Sequence, residues 1–218
     1  FVNDLPEFDA GPDIDVCEGD GVILGFPIAP DLDYDWSDDV IAGEVFFPTE
    51  SGEYILTGTD VEPCTNTDTI VVTVNPLPII DAGPDESICL GESFTLLATG
   101  ADPTYIYNWT DGIPNGTVIT PVSPGVYTYT VSVTDANGCT SEDEITITVH
   151  PLPLIDAGDD LEICDGELAT LSGSGGLPGF YVWDPAIGDG IAFAPPLGTT
   201  TYTVTASDNN GCTAVDQV

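Results

Sequence analysis

The sequence predicts an all-β protein, a tandem array of three similar sandwich domains. Three observations carry this. First, "LPEFDAGPDIDVCEGDG" from Leu5, "LPIIDAGPDESICLGES" from Leu77 and "LPLIDAGDDLEICDGEL" from Leu152 are near copies of one phrase at offsets of 72 and 75 residues, and self-similarity at such a period marks an array of small domains. Second, apolar residues fall in alternating Val, Ile, Thr and Tyr runs with no helical period, the pattern of strands with one buried and one wet face. Third, the other landmarks keep the same register: Cys17, Cys89, Cys164; Trp36, Trp109, Trp183; Tyr54, Tyr129, Tyr202; Asp60, Asp135, Asp208; Cys64, Cys139, Cys212.

The middle copy shows the elements in order. A short strand is expected near Asp85 to Cys89, a second in "SFTLLATG", a third in "YIYNWT", a weak one in "GTVITP", a long one in "GVYTYTVSVTD" and a last in "EITITV". Ile145, Ile147 and Val149 alternate with Thr146 and Thr148, as Ile70, Val72 and Val74 do one copy earlier. "DANGCT" supplies the turn between the last two strands, because Asn and Gly tolerate the positive φ of tight hairpins. Short strands separated by turns indicate an immunoglobulin-like β-sandwich. The expected boundaries are residues 5–76, 77–151 and 152–218. "FVNDLP" matches "TVNPLP" and "TVHPLP", so Phe1 to Asp4 read as the tail of a preceding repeat's last strand. The third repeat stops before Ile147 and Val149 have counterparts, so its last strand is truncated. A segment of a longer array, or a last strand supplied by a neighbour, would each account for both ends.

Composition narrows the partners. A chain of this length ordinarily carries about 25 Lys and Arg; this one has none, against 38 Asp and Glu, for a formal charge of -38. Nucleic-acid backbones and anionic membrane surfaces are repelled. Lysine Schiff bases, phosphate-cradling lysines and arginine clamps are excluded, and so are lysine-to-asparagine isopeptide staples. Any buried carboxylate must be hydrogen-bonded, protonated or metal-bound. With 42% hydrophobic residues the chain folds despite its charge. It contains no apolar run near the length of a membrane span.

Six cysteines without a Cys-x-x-Cys pair, and a single histidine, read as disulfides in an oxidising compartment. Pairing within repeats, Cys17 with Cys64, Cys89 with Cys139 and Cys164 with Cys212, is the expected arrangement, each worth about 4 kcal/mol in the chain-entropy model. In a strict sandwich, however, the turn after Cys89 and the hairpin holding Cys139 lie at opposite ends, and that geometry opens the alternative of a bridge between neighbours, such as Cys17 to Cys139.

Trp36, Trp109 and Trp183, each two residues after a tyrosine, are expected in the core with Tyr54, Tyr129 and Tyr202. Asp81 and Asp85 flank the joint's Gly-Pro, and Asp135 opens the hairpin turn. Together with Asp9, Asp13 and Asp60, and with Asp156, Asp160 and Asp208, they form three sets of carboxylates suited to calcium at the joints. The competing reading is that Asp simply makes good turns. Asp31, Asp33 and Asp35 are expected on a solvated strand face. His150 stands where the other joints have Asn75 and Asn3, as a linker residue. "NWT" at Asn108 and "NGT" at Asn115 match the N-glycosylation pattern, which is short and often unused. Carboxylate pairs are inevitable in so acidic a chain and do not indicate a glycosidase, so no catalytic residue is assigned.

"DAGPDESICLGESFTL", a Tyr-x-Trp strand and "GVYTYTVSVTDANGCTSEDEITITV" together resemble the PKD-type and related Ig-like repeats of very large secreted bacterial surface proteins. The gliding-motility adhesins of the SprB type, exported by type IX secretion, are among them. The resemblance spans the chain, and "TDANGCT" is its most specific phrase; repeat 1 departs from it with "TDVEPCT". It implies a non-enzymatic stalk or filament segment of a cell-surface adhesin, displayed outside the cell and supporting adhesion or gliding. The partners implied are neighbouring repeats, other copies in a filament, and a surface glycan or protein target. A glycan- or protein-binding module and a spacer in a secreted hydrolase are the alternatives.

Overall fold

The computed structural model describes residues 4–25, 31–62, 64–100, 102, 104–177 and 180–218. The strand tail expected at Phe1 to Asp4 therefore lies, except for Asp4, outside the described residues. The fold is all-β: tandem immunoglobulin-like sandwiches, with a single 3-10 turn at Thr110–Gly112 among the described residues.

Repeat 1 contributes β1 (Ile14–Cys17), β2 (Val22–Ile23), β3 (Asp33–Trp36), β4 (Val45–Phe46), β5 (Gly52–Thr59) and β6 (Thr65–Asn75). One sheet runs β1-β6-β5-β3 and the other pairs β2 with β4. The β5–β6 hairpin is the spine, in register from Gly52↔Val72 to Thr59↔Thr65. Because strand side chains alternate between faces, Leu56, Ile70 and Val72 point inward from this sheet, while Val22 comes from the other, and with Leu24 and Trp36 they form a buried core. Asp33 and Asp35 lie on the exposed face as expected. They stand opposite Thr59 and Thr57, so the strand's acids meet neutral hydroxyls rather than like charges across the ladder.

Repeat 2 contributes β7 (Ile80–Asp81), β8 (Glu86–Cys89), β9 (Phe94–Leu96), β10 (Thr99–Gly100), β11 (Asn108–Trp109), β12 (Thr117–Ile119), β13 (Gly125–Thr134) and β14 (Thr140–His150). Its main sheet, β11-β13-β14-β8, repeats the plan of repeat 1. Two expected strands differ. "SFTLLATG" is not one strand, because its first half pairs with β12 and its second half with β7; the segment changes partners around Leu97 and Ala98. "YIYNWT" shortens to Asn108–Trp109, whereas the last strand extends back to Thr140.

Repeat 3 contributes β15 (Val182–Asp184), β16 (Thr203–Ser207) and β17 (Thr213–Gln217), in that sheet order. Isolated bridges Asp156↔Ser174 and Ala169↔Phe193 stand where repeat 2 has short strand pairs. Gly175 admits no side chain, since a Cβ there would run into the Leu154 carbonyl. Its core holds Ala157, Leu171, Trp183, Tyr202 and Val204.

The chain divides into two compact units. The first comprises Phe1–Asp81, Thr99–Asn108 and Val131–Asp143; the second comprises Ala82–Ala98, Trp109–Thr130 and Glu144–Val218. Each unit takes in parts of two successive repeats.

Candidate functional site

The features that recur most faithfully are two cysteine-bearing turns. The first has the form Cys-x-Gly-Asp/Glu. Asp20, Glu92 and Glu167 each donate a backbone N–H to the carbonyl of the cysteine three residues earlier, at 2.9, 3.0 and 3.1 Å. In return their carboxylates accept the N–H of Cys17, Cys89 and Cys164, at 3.3, 2.7 and 2.9 Å. The glycine between them sits at φ 89, 96 and 84 at positions 19, 91 and 166, a conformation that side chains disfavour.

The second turn has the form Asp-x-x-x-Cys. Asp60, Asp135 and Asp208 donate backbone N–H groups to the carbonyls of Cys64, Cys139 and Cys212, at 3.1, 2.9 and 2.9 Å. Their Oδ1 atoms accept the N–H groups of the same cysteines, at 2.9, 2.9 and 3.0 Å. The same oxygens also cap Glu62, Asn137 and Asn210. The departure of repeat 1 from the Asn-Gly phrase leaves this hydrogen-bond pattern intact.

The two turns lie at opposite ends of one long strand. β1 runs parallel to β6 with Cys17 opposite Asn75, and β8 runs parallel to β14 with Cys89 opposite His150. Cys64 and Cys139 immediately precede those strands of 11 residues each, so within a repeat the two cysteines are separated by about 36 Å at 3.3 Å per residue. A disulfide spans a Cα separation of only about 4.4–6.8 Å.

The within-repeat pairing is therefore not the one the structure forms. Cys17 is bonded to Cys139 and Cys89 to Cys212, each with Cα atoms 5.5 Å apart. The first cysteine of one repeat thus holds the second cysteine of the next, and each bond lies inside one compact unit. The closed loops span 122 and 123 residues, which the chain-entropy model values at about 5 kcal/mol each. Cys139 and Cys212 are fully buried. Cys64 and Cys164 carry free thiols.

The aromatic landmarks occupy the cores. Trp36, Trp109, Trp183 and Tyr202 are buried. Tyr54 and Tyr129 are half-buried, with rings against Phe46 and Phe94. Burial, then the carboxylates of Asp38 and Glu50, hold the Tyr54 phenol above its ordinary pKa. Each indole N–H is satisfied: Trp36 donates to the Gly25 carbonyl at 3.0 Å, Trp109 to Asn115 Oδ1 at 3.0 Å and Trp183 to Asp189 Oδ1 at 3.1 Å. Asn115 also exchanges two hydrogen bonds with the Ala98 backbone, a structural duty its glycosylation-like context does not disclose. Asn108 is exposed, its amide 3.4 Å from the Ile106 carbonyl.

The remaining joint carboxylates also serve the backbone. Asp9 and Asp156 each accept the N–H of the glycine two residues on, both at 2.8 Å. Asp13 accepts from Val71 at 2.9 Å and Asp85 from Thr146 at 2.8 Å. Asp81 lies in β7 opposite Thr99, and Asp160 is exposed. Among the described residues, no three His, Cys, Asp or Glu side chains are grouped so as to hold a metal ion. His150 closes β14, its Nε2 2.8 Å from Ser87 Oγ.

Sequence reasoning did not anticipate Asp68 and Asp216, which accept the N–H groups of Ala10 and Ala157 at 2.7 and 2.8 Å. These bonds pin the joints of repeats 1 and 3 to the last strands of those repeats. The bond from Ala157, with a second from Gln217, holds the Asp216 carboxyl below its ordinary pKa. The clue was an acid at an inward-facing position of an otherwise alternating strand.

The family model described as "Putative Ig domain" (He_PIG) matches residues 91–150. Similar solved structures include the N-terminal eight Ig domains of Down Syndrome Cell Adhesion Molecule, at 17% identity and a TM-score of 0.47 over 96% of this chain and 40% of that one. The I67–I69 fragment of the titin I-band matches at 14% identity and a TM-score of 0.38, over 94% of each chain. Extracellular domains 3–5 of Drosophila OTK match at 13% identity and a TM-score of 0.36, over 95% of this chain and 93% of that one. No curated protein matches the chain.

Proposed function

We propose that the chain is a load-bearing segment of an extracellular cell-surface filament or adhesin stalk, non-enzymatic, with neighbouring repeats as its first partners. The observation that carries this is the pair of disulfides between successive repeats. A bond within a repeat stabilises that repeat alone, whereas these bonds close loops that include a joint. The shortest covalent route from Cys17 to Cys212 uses the 50 residues from Cys89 to Cys139, in place of the 195 residues of uninterrupted chain. Extending an unfolded chain is thereby cut to roughly a quarter, from about 660 Å to about 170 Å at 3.4 Å per residue. Disulfides of this kind require an oxidising compartment, which supports the extracellular placement. The resemblance to SprB-type repeats supports adhesion or gliding as the setting and type IX secretion as the route.

In this proposal calcium tunes the array by neutralising the acids around the joints, Asp9, Asp13 and Asp60 and their equivalents. Its test is separate: a melting temperature equal in chelator and in millimolar calcium, at matched ionic strength, removes calcium from the account. The load-bearing role is tested by stretching single molecules with and without reductant. A binding-module role would instead show as glycan or protein capture by the isolated segment.

A further inference from the structure

We propose that Cys64 and Cys164 are each half of a further staple of the same kind, Cys164 taking the Asp-x-x-x-Cys turn and Cys64 the Cys-x-Gly-Asp/Glu turn of a neighbouring repeat, and that a second copy of this chain can supply either turn. This deepens the load-bearing reading and rests on it.

Each free thiol is the counterpart of a cysteine that is bonded elsewhere in the same chain. Cys164 stands where Cys17 and Cys89 stand, and Cys64 where Cys139 and Cys212 stand. The local scaffolds are already built. Glu167 caps the Cys164 N–H at 2.9 Å as Glu92 caps Cys89 at 2.7 Å, and Asp60 caps the Cys64 N–H at 2.9 Å as Asp135 caps Cys139 at 2.9 Å. Neither turn waits for a partner to take shape.

Exposure points the same way. Cys139 and Cys212 are completely buried by their bonds and surroundings, but Cys64 is half-buried, its Sγ 3.8 Å from the Glu62 carbonyl. Cys17 and Cys89 are half-buried, but Cys164 is exposed. Each free cysteine is one step more accessible than its bonded counterparts. The partner chemistry is fixed by the existing joints: a Cys-x-Gly-Asp/Glu turn takes an Asp-x-x-x-Cys turn, never its own kind. A second copy carries both kinds of turn, so the contact joins unlike surfaces and can be repeated from copy to copy.

Closure needs a two-electron oxidant, which a small-molecule disulfide such as oxidised glutathione provides. One cysteine thiolate attacks it, releasing one glutathione thiolate and leaving a mixed disulfide. The second cysteine's thiolate then attacks the cysteine sulfur of that mixed disulfide and expels the second glutathione. Two thiols and one disulfide become one protein disulfide and two reduced glutathiones.

The test compares the intact chain with Cys64→Ser and Cys164→Ser, which alter only the two free thiols. Each variant must first show the parent's melting temperature and retain both internal bonds. In a glutathione redox buffer the parent should form a ladder of reducible multimers, and each variant alone should stay monomeric. An equimolar mixture of the variants should give a single dimer, joined by a Cys164–Cys64 peptide. That peptide is best recovered with a protease that cuts at acidic residues, since trypsin has no site. The absence of multimers, or homodimers of either variant equal in yield to the mixed dimer, overturns the proposal. Either failure leaves the two internal staples, and the stretching test built on them, standing.

Discussion

At the scale of single residues, the carboxylates replace the cations this chain lacks as organisers of structure. One oxygen of Asp135 accepts two backbone N–H groups, from Asn137 and Cys139, both at 2.9 Å, and so fixes the turn that presents Cys139 to Cys17. Asp135→Ala should cost about 1.5 to 3 kcal/mol, the usual contribution of hydrogen bonds to a charged acceptor, read from denaturant unfolding with the disulfides intact. It should also slow oxidative closure of Cys17–Cys139 while leaving closure of Cys89–Cys212 unchanged. Asp216 offers a test by pH. Its folded pKa is depressed, so its stabilising contribution is present above the ordinary carboxylate pKa and is lost as pH falls through the folded value. The gap in melting temperature between the parent chain and Asp216→Asn should therefore be open at neutral pH and close in acid. A gap that persists unchanged in strong acid would show that the bond to Ala157 owes nothing to ionisation.

At the scale of elements, the sequence announces what periodicity can encode and conceals what depends on pairing. The long strand β14 alternates between its faces over eleven residues, and β13 carries its two buried residues, Val131 and Val133, on one face, so their type could be read directly. "SFTLLATG" carries the same composition throughout, so nothing local shows that its halves serve different partners. The tryptophans were legible as core from their size and their place in the strand, but the acceptor for each indole was not. Asn115 and Asp189 each reach it from six residues further on, across a loop without periodicity. Asn115→Ala should thus destabilise the fold by about 2 to 4 kcal/mol, since it orphans the Trp109 indole and the Ala98 backbone groups; thermal unfolding checks this. The cysteine pairing was legible only as an alternative, the Cys17–Cys139 bridge between neighbours that the structure forms. Spacing favoured bonds within repeats, and only the register of β8 against β14, which places Cys89 beside His150, puts the two cysteines of a repeat too far apart.

At the scale of the whole molecule, three copies of one sandwich are joined so that sequence repeats and covalent units are offset. The repeats, the acidity and the all-β class were open to reading from the chain alone, because each is a property of composition or recurrence. The offset stitching was legible only as the alternative to pairing within repeats, because it depends on which ends of two sandwiches meet. Its consequence for stability is that reduction should act on neighbouring repeats together. Cys17→Ser should lower the stability of the first compact unit by roughly 2 to 5 kcal/mol, the usual range for a lost native disulfide. Differential hydrogen exchange should register the loss on both sides of the joint, near Cys17 and near Cys139, rather than in repeat 1 alone.

In the load-bearing role these bonds limit how far the chain can be drawn out, a limit that single-molecule stretching between handles at residues 17 and 212 measures. The fully extended length should be about 170 Å for the oxidised chain and about 660 Å after reduction, at about 3.4 Å per residue. Equal lengths in the two states would contradict it.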